Sequence, residues 1–171
     1  MTRRLRPDQV SSALEQNETN LVFTPYDLIA DSSHLFFYPL FEDALYCVMD
    51  RSNPCAEREQ LQCKELAASR ILLPSKTFRP PHMETVMNVL EQEGLQCSLE
   101  DGYNYDNTLM QLLSHEDTVA ILPGSVVPDN PRLCAVPLLI KTHVRVGLAY
   151  RHPMTRIEEA FALLGRELNI S

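Results

Sequence analysis

The sequence has no tryptophan, only five glycines in 171 residues, and no two cysteines close together. So few glycines leave no room for a Gly-rich phosphate loop, and neither G-x-G-x-x-G nor G-x-x-x-x-G-K occurs. The five cysteines, Cys47, Cys55, Cys63, Cys97 and Cys134, are odd in number and form no C-x-x-C pair. That argues against a regular disulfide framework or zinc knuckle and leaves reduced, mostly buried thiols, with a redox sensor as the alternative. Positive charge is also scarce, with 15 Lys+Arg against 23 Asp+Glu and a formal charge of −8. Nucleic-acid binding by these residues is disfavoured, because phosphate contacts need clustered cations. The start, MTRRLRPDQ, is basic but is not followed by the apolar run of about 7–15 residues that marks a signal peptide. No stretch approaches the roughly 18–20 apolar residues of a membrane span. The expectation is a cytoplasmic protein with no membrane partner.

Motifs for catalysis and metal binding are missing as well. His34, His82, His115, His143 and His152 are scattered, without H-E-x-x-H or H-x-H spacing, so no metal or other cofactor is expected. Ser75, His82 and Asp106 supply the residue types of a hydrolytic triad, but there is no G-x-S-x-G elbow and nothing places them together. The chain is read as not an enzyme.

What the sequence does have is ordinary globular composition, 44% hydrophobic and 22% charged, in a chain long enough for a substantial core. Its organising stretch runs from Tyr103 to Pro123, YNYDNTLMQLLSHEDTVAILP. A polar aromatic turn leads into a short helix, which Asp106 or Asn107 is placed to cap with a side-chain oxygen. Leu109, Leu112 and Leu113 put an apolar stripe on that helix. Val119 to Leu122 then form a continuous apolar run, the pattern of a strand covered on both faces. A helix N-terminus with tyrosine hydroxyls and an amide beside a buried sheet suits a small polar or anionic ligand.

Around this stretch, a helix is expected from Pro7 to about Gln16, ended by Asn17 to Asn20. A strand Leu21 to Phe23 leaves through Thr24-Pro25-Tyr26, and in open α/β sheets ligands sit at such carboxyl ends. Further strands are read at Leu35–Tyr38, Ala44–Met49, Ile71–Leu73, Leu95–Leu99, Leu133–Ile140 and Val144–Tyr150, with a bend at Pro39–Glu42. Pro137 makes the Leu133 strand an edge or a crossing segment. Glu57 to Ala68 reads as a solvated helix or irregular connector. A helix over His82–Glu93 carries Met83, Val86, Met87 and Leu90 at i, i+3, i+4 and i+7 and is stopped by Gly94. Ile157, Ala160, Phe161, Leu164 and Leu168 mark a C-terminal amphipathic helix. Strands alternating with helices predict an α/β protein with mainly parallel sheets.

Taken in order, these elements resemble the effector-binding domain of LysR-type bacterial transcriptional regulators. The resemblance rests on an ordered set: SSALEQNETNLVFTP, YPLFEDALYCVM, the turn Asn53-Pro54-Cys55-Ala56, Glu65-Leu66-Ala67 with Ile71-Leu72-Leu73, Leu109 to Pro123, and VGLAYRHP. It implies a type 2 periplasmic-binding-protein-like fold, with two lobes joined by two crossing strands. Residues 1–70 are then an incomplete first lobe, 71–136 the second lobe and 137–171 the return to the first. The chain departs from the family pattern where Glu116 and Thr118 replace glycines before the buried strand. It also lacks the opening strand, helix and strand of lobe one and the winged helix-turn-helix, as an N-terminally truncated chain would.

The resemblance further implies a small-molecule effector in the cleft between lobes, a homodimer or tetramer, and DNA contact only through the absent helix-turn-helix domain. Carried over by position, the ligand-binding residues are Thr24 in lobe one, Ser75 and Thr77 after the first crossing, and Tyr103, Asn104 and Tyr105 in lobe two. Lys76 and Arg79 stand beside them, either adding charge for an anionic ligand or simply solvated. The helix His82–Glu93 resembles the one through which subunits of the family pair. The alternatives are a solute-binding protein of the same fold with no DNA-binding role, or a small α/β enzyme, which would need converging titratable groups.

Overall fold

In a computed structural model, residues 5–74, 80–100 and 105–151 are described. The chain divides into two compact units, Met1–Asp43 with Val144–Ser171, and Ala44–His143.

The first unit begins with a short 3-10 turn and α1 (Val10–Glu15), which buries Val10, Ala13 and Leu14. Asn17, at φ 58°, ends it in the left-handed region. The Glu18 and Asn17 amides return to the carbonyls of Ala13 (2.9 Å) and Leu14 (3.2 Å), closing carbonyls that the helix cannot satisfy itself. Strand β1 (Leu21–Pro25) and β2 (Phe36–Asp43) both pair antiparallel with β8 (Val144–Tyr150), so the strand order is β1-β8-β2. Val10, Leu14, Ile29 and Ala149 form this unit's core, with Val22, Tyr26 and Phe37 packed against it. The bend expected at Pro39–Glu42 is a bulge between Pro39 and Phe41 inside a continuous strand, not an end.

The second unit holds a five-stranded sheet in the order β5-β4-β6-β3-β7. Its strands are β3 (Leu45–Asp50), β4 (Arg70–Pro74), β5 (Cys97–Glu100), β6 (Thr118–Pro123) and β7 (Leu133–Pro137). Every residue of β6 is buried, as its unbroken apolar run predicts, and β7 with Pro137 lies at an edge. The connector before β4 has only one short 3-10 turn, Cys63–Leu66, closed by reciprocal bonds between Gln62 and Glu65. Leu61, Cys63 and Leu66 anchor it in the core.

Helix α2 (Pro81–Gln92) starts with proline in its first turn and buries Met83, Val86 and Leu90. Gly94, at φ 72°, ends it as expected; the Leu95 and Gly94 amides return to Leu90 (2.9 Å) and Glu91 (3.0 Å). Helix α3 (Tyr105–Ser114) packs Leu112 into a core of Val48, Leu72, Ala120, Leu122 and Leu133, with Leu109 and Leu113 alongside. Burying a leucine this way contributes about 1.5–3 kcal/mol.

Two expectations need correction. Mainly parallel sheets are found only in the β5-β4-β6 block; β1, β2, β3 and β7 all pair antiparallel. The divisions expected at 70/71 and 136/137 fall instead at 43/44 and 143/144. Residues 44–70 join the second unit because β3 lies between β6 and β7, and β4 is an inner strand of the same sheet rather than a crossing. The expected C-terminal helix lies outside the described residues.

Candidate functional site

In the second unit, the parallel register pairs Pro74 of β4 with Glu100 of β5, while β6 runs in the same direction beside β4. The three carboxyl ends therefore share one sheet edge, the edge at which α/β sheets present ligands. From β6 the chain turns through Gly124–Val126, tied back by the Gly124 amide to the Ala44 carbonyl at 3.1 Å. α3 begins at Tyr105, five residues after β5 ends, and its first-turn amides carry the positive end of the helix dipole. Asp106 and Asn107 are therefore inside the first turn and not at the cap expected for them.

Of the candidate ligand residues, Tyr105 opens α3, while Ser75, Thr77, Tyr103 and Asn104 lie outside the described residues, as do Lys76 and Arg79. Thr24 sits in the first unit, in β1 opposite Gly147. It is 2% exposed, and its hydroxyl donates to the Pro25 carbonyl at 3.3 Å. β1 then leads into a turn, Tyr26–Leu28. The Tyr26 ring meets Phe37 edge-on at 5.1 Å, and the Arg145 guanidinium carbon lies 4.4 Å from its centroid. Arg145 was not singled out in the sequence. Its only local signal is the charge that opens an otherwise apolar strand, VRVGLAY.

At the opposite edge of the second sheet the polar groups serve structure. Asp50, 6% exposed at the end of β3, accepts from the Ser52 amide (3.0 Å), the Ser52 hydroxyl (2.9 Å) and Arg132 Nη2 (2.6 Å). The Ser52 amide, followed by the Ser52 hydroxyl and the Arg132 guanidinium, holds the Asp50 carboxyl below its ordinary value against the opposing effect of burial. Asn53 donates to the Glu116 carbonyl at 2.7 Å and accepts from the Cys55 amide at 2.8 Å. A shallow depression lined by Ser69, Arg70, Gly94, Gln96 and Asp117 opens at this same amino-terminal end of β4 and β6, away from the strand exits just described.

Burial pushes the thiols of Cys47, Cys63 and Cys134 upward, so they stay protonated at neutral pH. Among the described residues no group of three His, Cys, Asp or Glu side chains could hold a metal ion, and no helix is long and apolar enough to cross a membrane. His82, the one member of the imagined triad with a described side chain, sits in the first turn of α2.

Two α/β units, one continuous and one assembled from both ends of the chain, define a type 2 periplasmic-binding-protein-like domain that binds effectors. The family model of the LysR substrate binding domain matches residues 3–167, and the chain belongs to that family. No curated protein matches it in sequence. Among solved structures, the Synechocystis PCC6803 CcmR regulatory domain in complex with 2-PG is 13% identical, with TM-score 0.71 over 97% of this chain and 81% of that one. The reduced OxyR regulatory domain from Pseudomonas aeruginosa is 15% identical, with TM-score 0.67 over 95% and 78%. Full-length CbnR complexed with its target DNA is 15% identical, with TM-score 0.71 over 99% of this chain but only 60% of that one. The family is one of regulatory domains rather than enzymes.

Proposed function

We propose that this domain senses a small metabolite for a LysR-type transcriptional regulator in the cytoplasm. DNA contact is assigned to a helix-turn-helix domain and not to these residues, whose formal charge is −8. The supporting observation is the shared carboxyl edge of β4, β5 and β6, with α3 starting just beyond it. In this reading Tyr103, Asn104 and Tyr105 contact the effector at the helix N-terminus, and Ser75 and Thr77 contact it beyond β4. Hydroxyls and amides fix the orientation of a polar ligand by directed hydrogen bonds, while the helix terminus adds partial positive charge. A thermal-shift screen of carboxylates and amino acids tests this. At least one compound should stabilise the wild type and lose that effect in Asn104→Ala; equal stabilisation of both proteins would remove the 103–105 turn from the site.

Self-association is assigned to α2. Its Met83, Val86 and Leu90 are buried within the unit, whereas Met87 is half-buried and stands at the rim of that stripe. Met87→Glu places a charge in such a contact and should lower the mass measured by light scattering. An unchanged mass would count against α2 as the pairing helix.

A further inference from the structure

We propose that Arg145, seated on the ring of Tyr26, anchors the carboxylate of an anionic small molecule at the carboxyl end of β1. The inference deepens the effector-sensing reading and rests on it. β1 pairs with β8 as far as Pro25 opposite Val146, so Arg145 lies one position beyond the last pair, where β1 gives way to the Tyr26 turn. Arg145, Gly147 and Ala149 alternate onto the face of β8 that carries the α1 core, and Thr24 stands opposite Gly147 on that face.

The arginine is exposed, yet it is held in one place. Its guanidinium carbon lies over the Tyr26 ring, 4.4 Å from the centroid, and that ring packs edge-on against Phe37 at 5.1 Å. Glu42 is its register partner on β2, and an opposite-charge pair at such a position is ordinarily favourable. No ion pair forms between them, and no hydrogen bond or ion pair to Arg145 is found among the described residues. In a chain with 23 carboxylates, this guanidinium lies over an aromatic ring and keeps its N–H donors. A fork of parallel N–H groups matches the two oxygens of a carboxylate. Seating on the ring restricts the side chain beforehand, which reduces the entropy lost when a ligand arrives.

The test compares carboxylates with their amide isosteres, succinate with succinamide and benzoate with benzamide, and adds inorganic phosphate. Binding to the whole chain is followed by thermal shift and by NMR of the Arg145 Nε–H signal. At least one carboxylate should bind wild type in preference to its amide. Arg145→Gln should weaken it roughly 10- to 100-fold, the range set by losing hydrogen bonds to a charged group. Arg145→Lys should fall between the two, and Glu42→Gln, which removes a nearby negative charge, should tighten binding. Equal affinity in wild type and Arg145→Gln overturns the anchor; if the carboxylate still stabilises both proteins, the effector-sensing reading survives. Amide binding as tight as carboxylate, phosphate binding alone, or no binding to wild type each overturns the carboxylate assignment. Arg145 is exposed, so Arg145→Gln should keep the unliganded melting temperature, which verifies that the variant folds.

Discussion

Gly147 and Gly94 separate two reasons for a glycine, and replacing each with alanine should cost different amounts. A Cβ on Gly147 would fall well inside contact distance of the Tyr38 carbonyl oxygen, 2.7 Å from Phe37 Cζ and 3.0 Å from Pro39 Cα. Two of those three atoms are backbone of β2, so the strand must lift from β8 instead of a side chain swinging aside. Overpacking of this kind costs about 1–3 kcal/mol, and each ladder hydrogen bond stretched or lost adds about 0.5–1.5 kcal/mol. Gly147→Ala should therefore destabilise by roughly 2–4 kcal/mol, a fall in Tm of about 5–15 °C for a chain of this size. Around Gly94 nothing lies within 4 Å, and the cost of alanine there comes only from φ 72°. That is about 1 kcal/mol. Urea denaturation of wild type and both variants, with the slope checked for constancy, gives the comparison directly. If Gly147→Ala costs no more than Gly94→Ala, the close approach of β2 to β8 is not what requires glycine at 147.

Two further expectations follow from buried polar groups. Because Asp50 has a depressed folded pKa, its contribution is present above the unfolded carboxyl value, near 3.8, and is lost as pH falls from there through the folded value. Asp50→Asn should cost about 1–3 kcal/mol at pH 7, much of it from the Ser52 bonds since Arg132 is largely exposed, and the gap to wild type should close in acid unfolding curves below that point. A gap independent of pH would mean that the charge on Asp50 is not what matters. The Thr118 hydroxyl is fully buried and has no hydrogen-bond partner among the described residues. Thr118→Val should therefore be neutral or stabilise by about 1 kcal/mol in thermal unfolding, and a clear loss would reveal a partner for that hydroxyl.

Local chemistry made much of this fold readable. Asn17 and Gly94 end helices because few other residues adopt the left-handed turn, Pro137 marks an edge strand, and the unbroken run in β6 marks a strand buried on both faces. Pairings between distant segments were not readable. FEDALYCV holds no glycine or proline to mark a boundary, yet the chain changes unit between Asp43 and Ala44, and nothing in VRVGLAY says that β8 lies between β1 and β2. At the candidate site, Asp106 and Asn107 both resemble caps, so the start of α3 at Tyr105 was ambiguous from sequence. Thr24 reads as an available hydroxyl, whereas it is enclosed and bonded to its neighbour's carbonyl. The cation over Tyr26 depends on the register of β1 with β8, which is a non-local fact.

That register also sets an order of events during synthesis. The second unit is an uninterrupted segment, so its strands can assemble as soon as they leave the ribosome. The three-stranded sheet cannot, because its middle strand is the last to emerge and must close a loop of the whole intervening unit. Closure entropy grows only slowly with length, so having the inserted unit already folded adds little thermodynamic burden. The backbone edges of β1 and β2 nevertheless wait unpaired until translation reaches Tyr150, and that interval is when this chain is most open to misassociation.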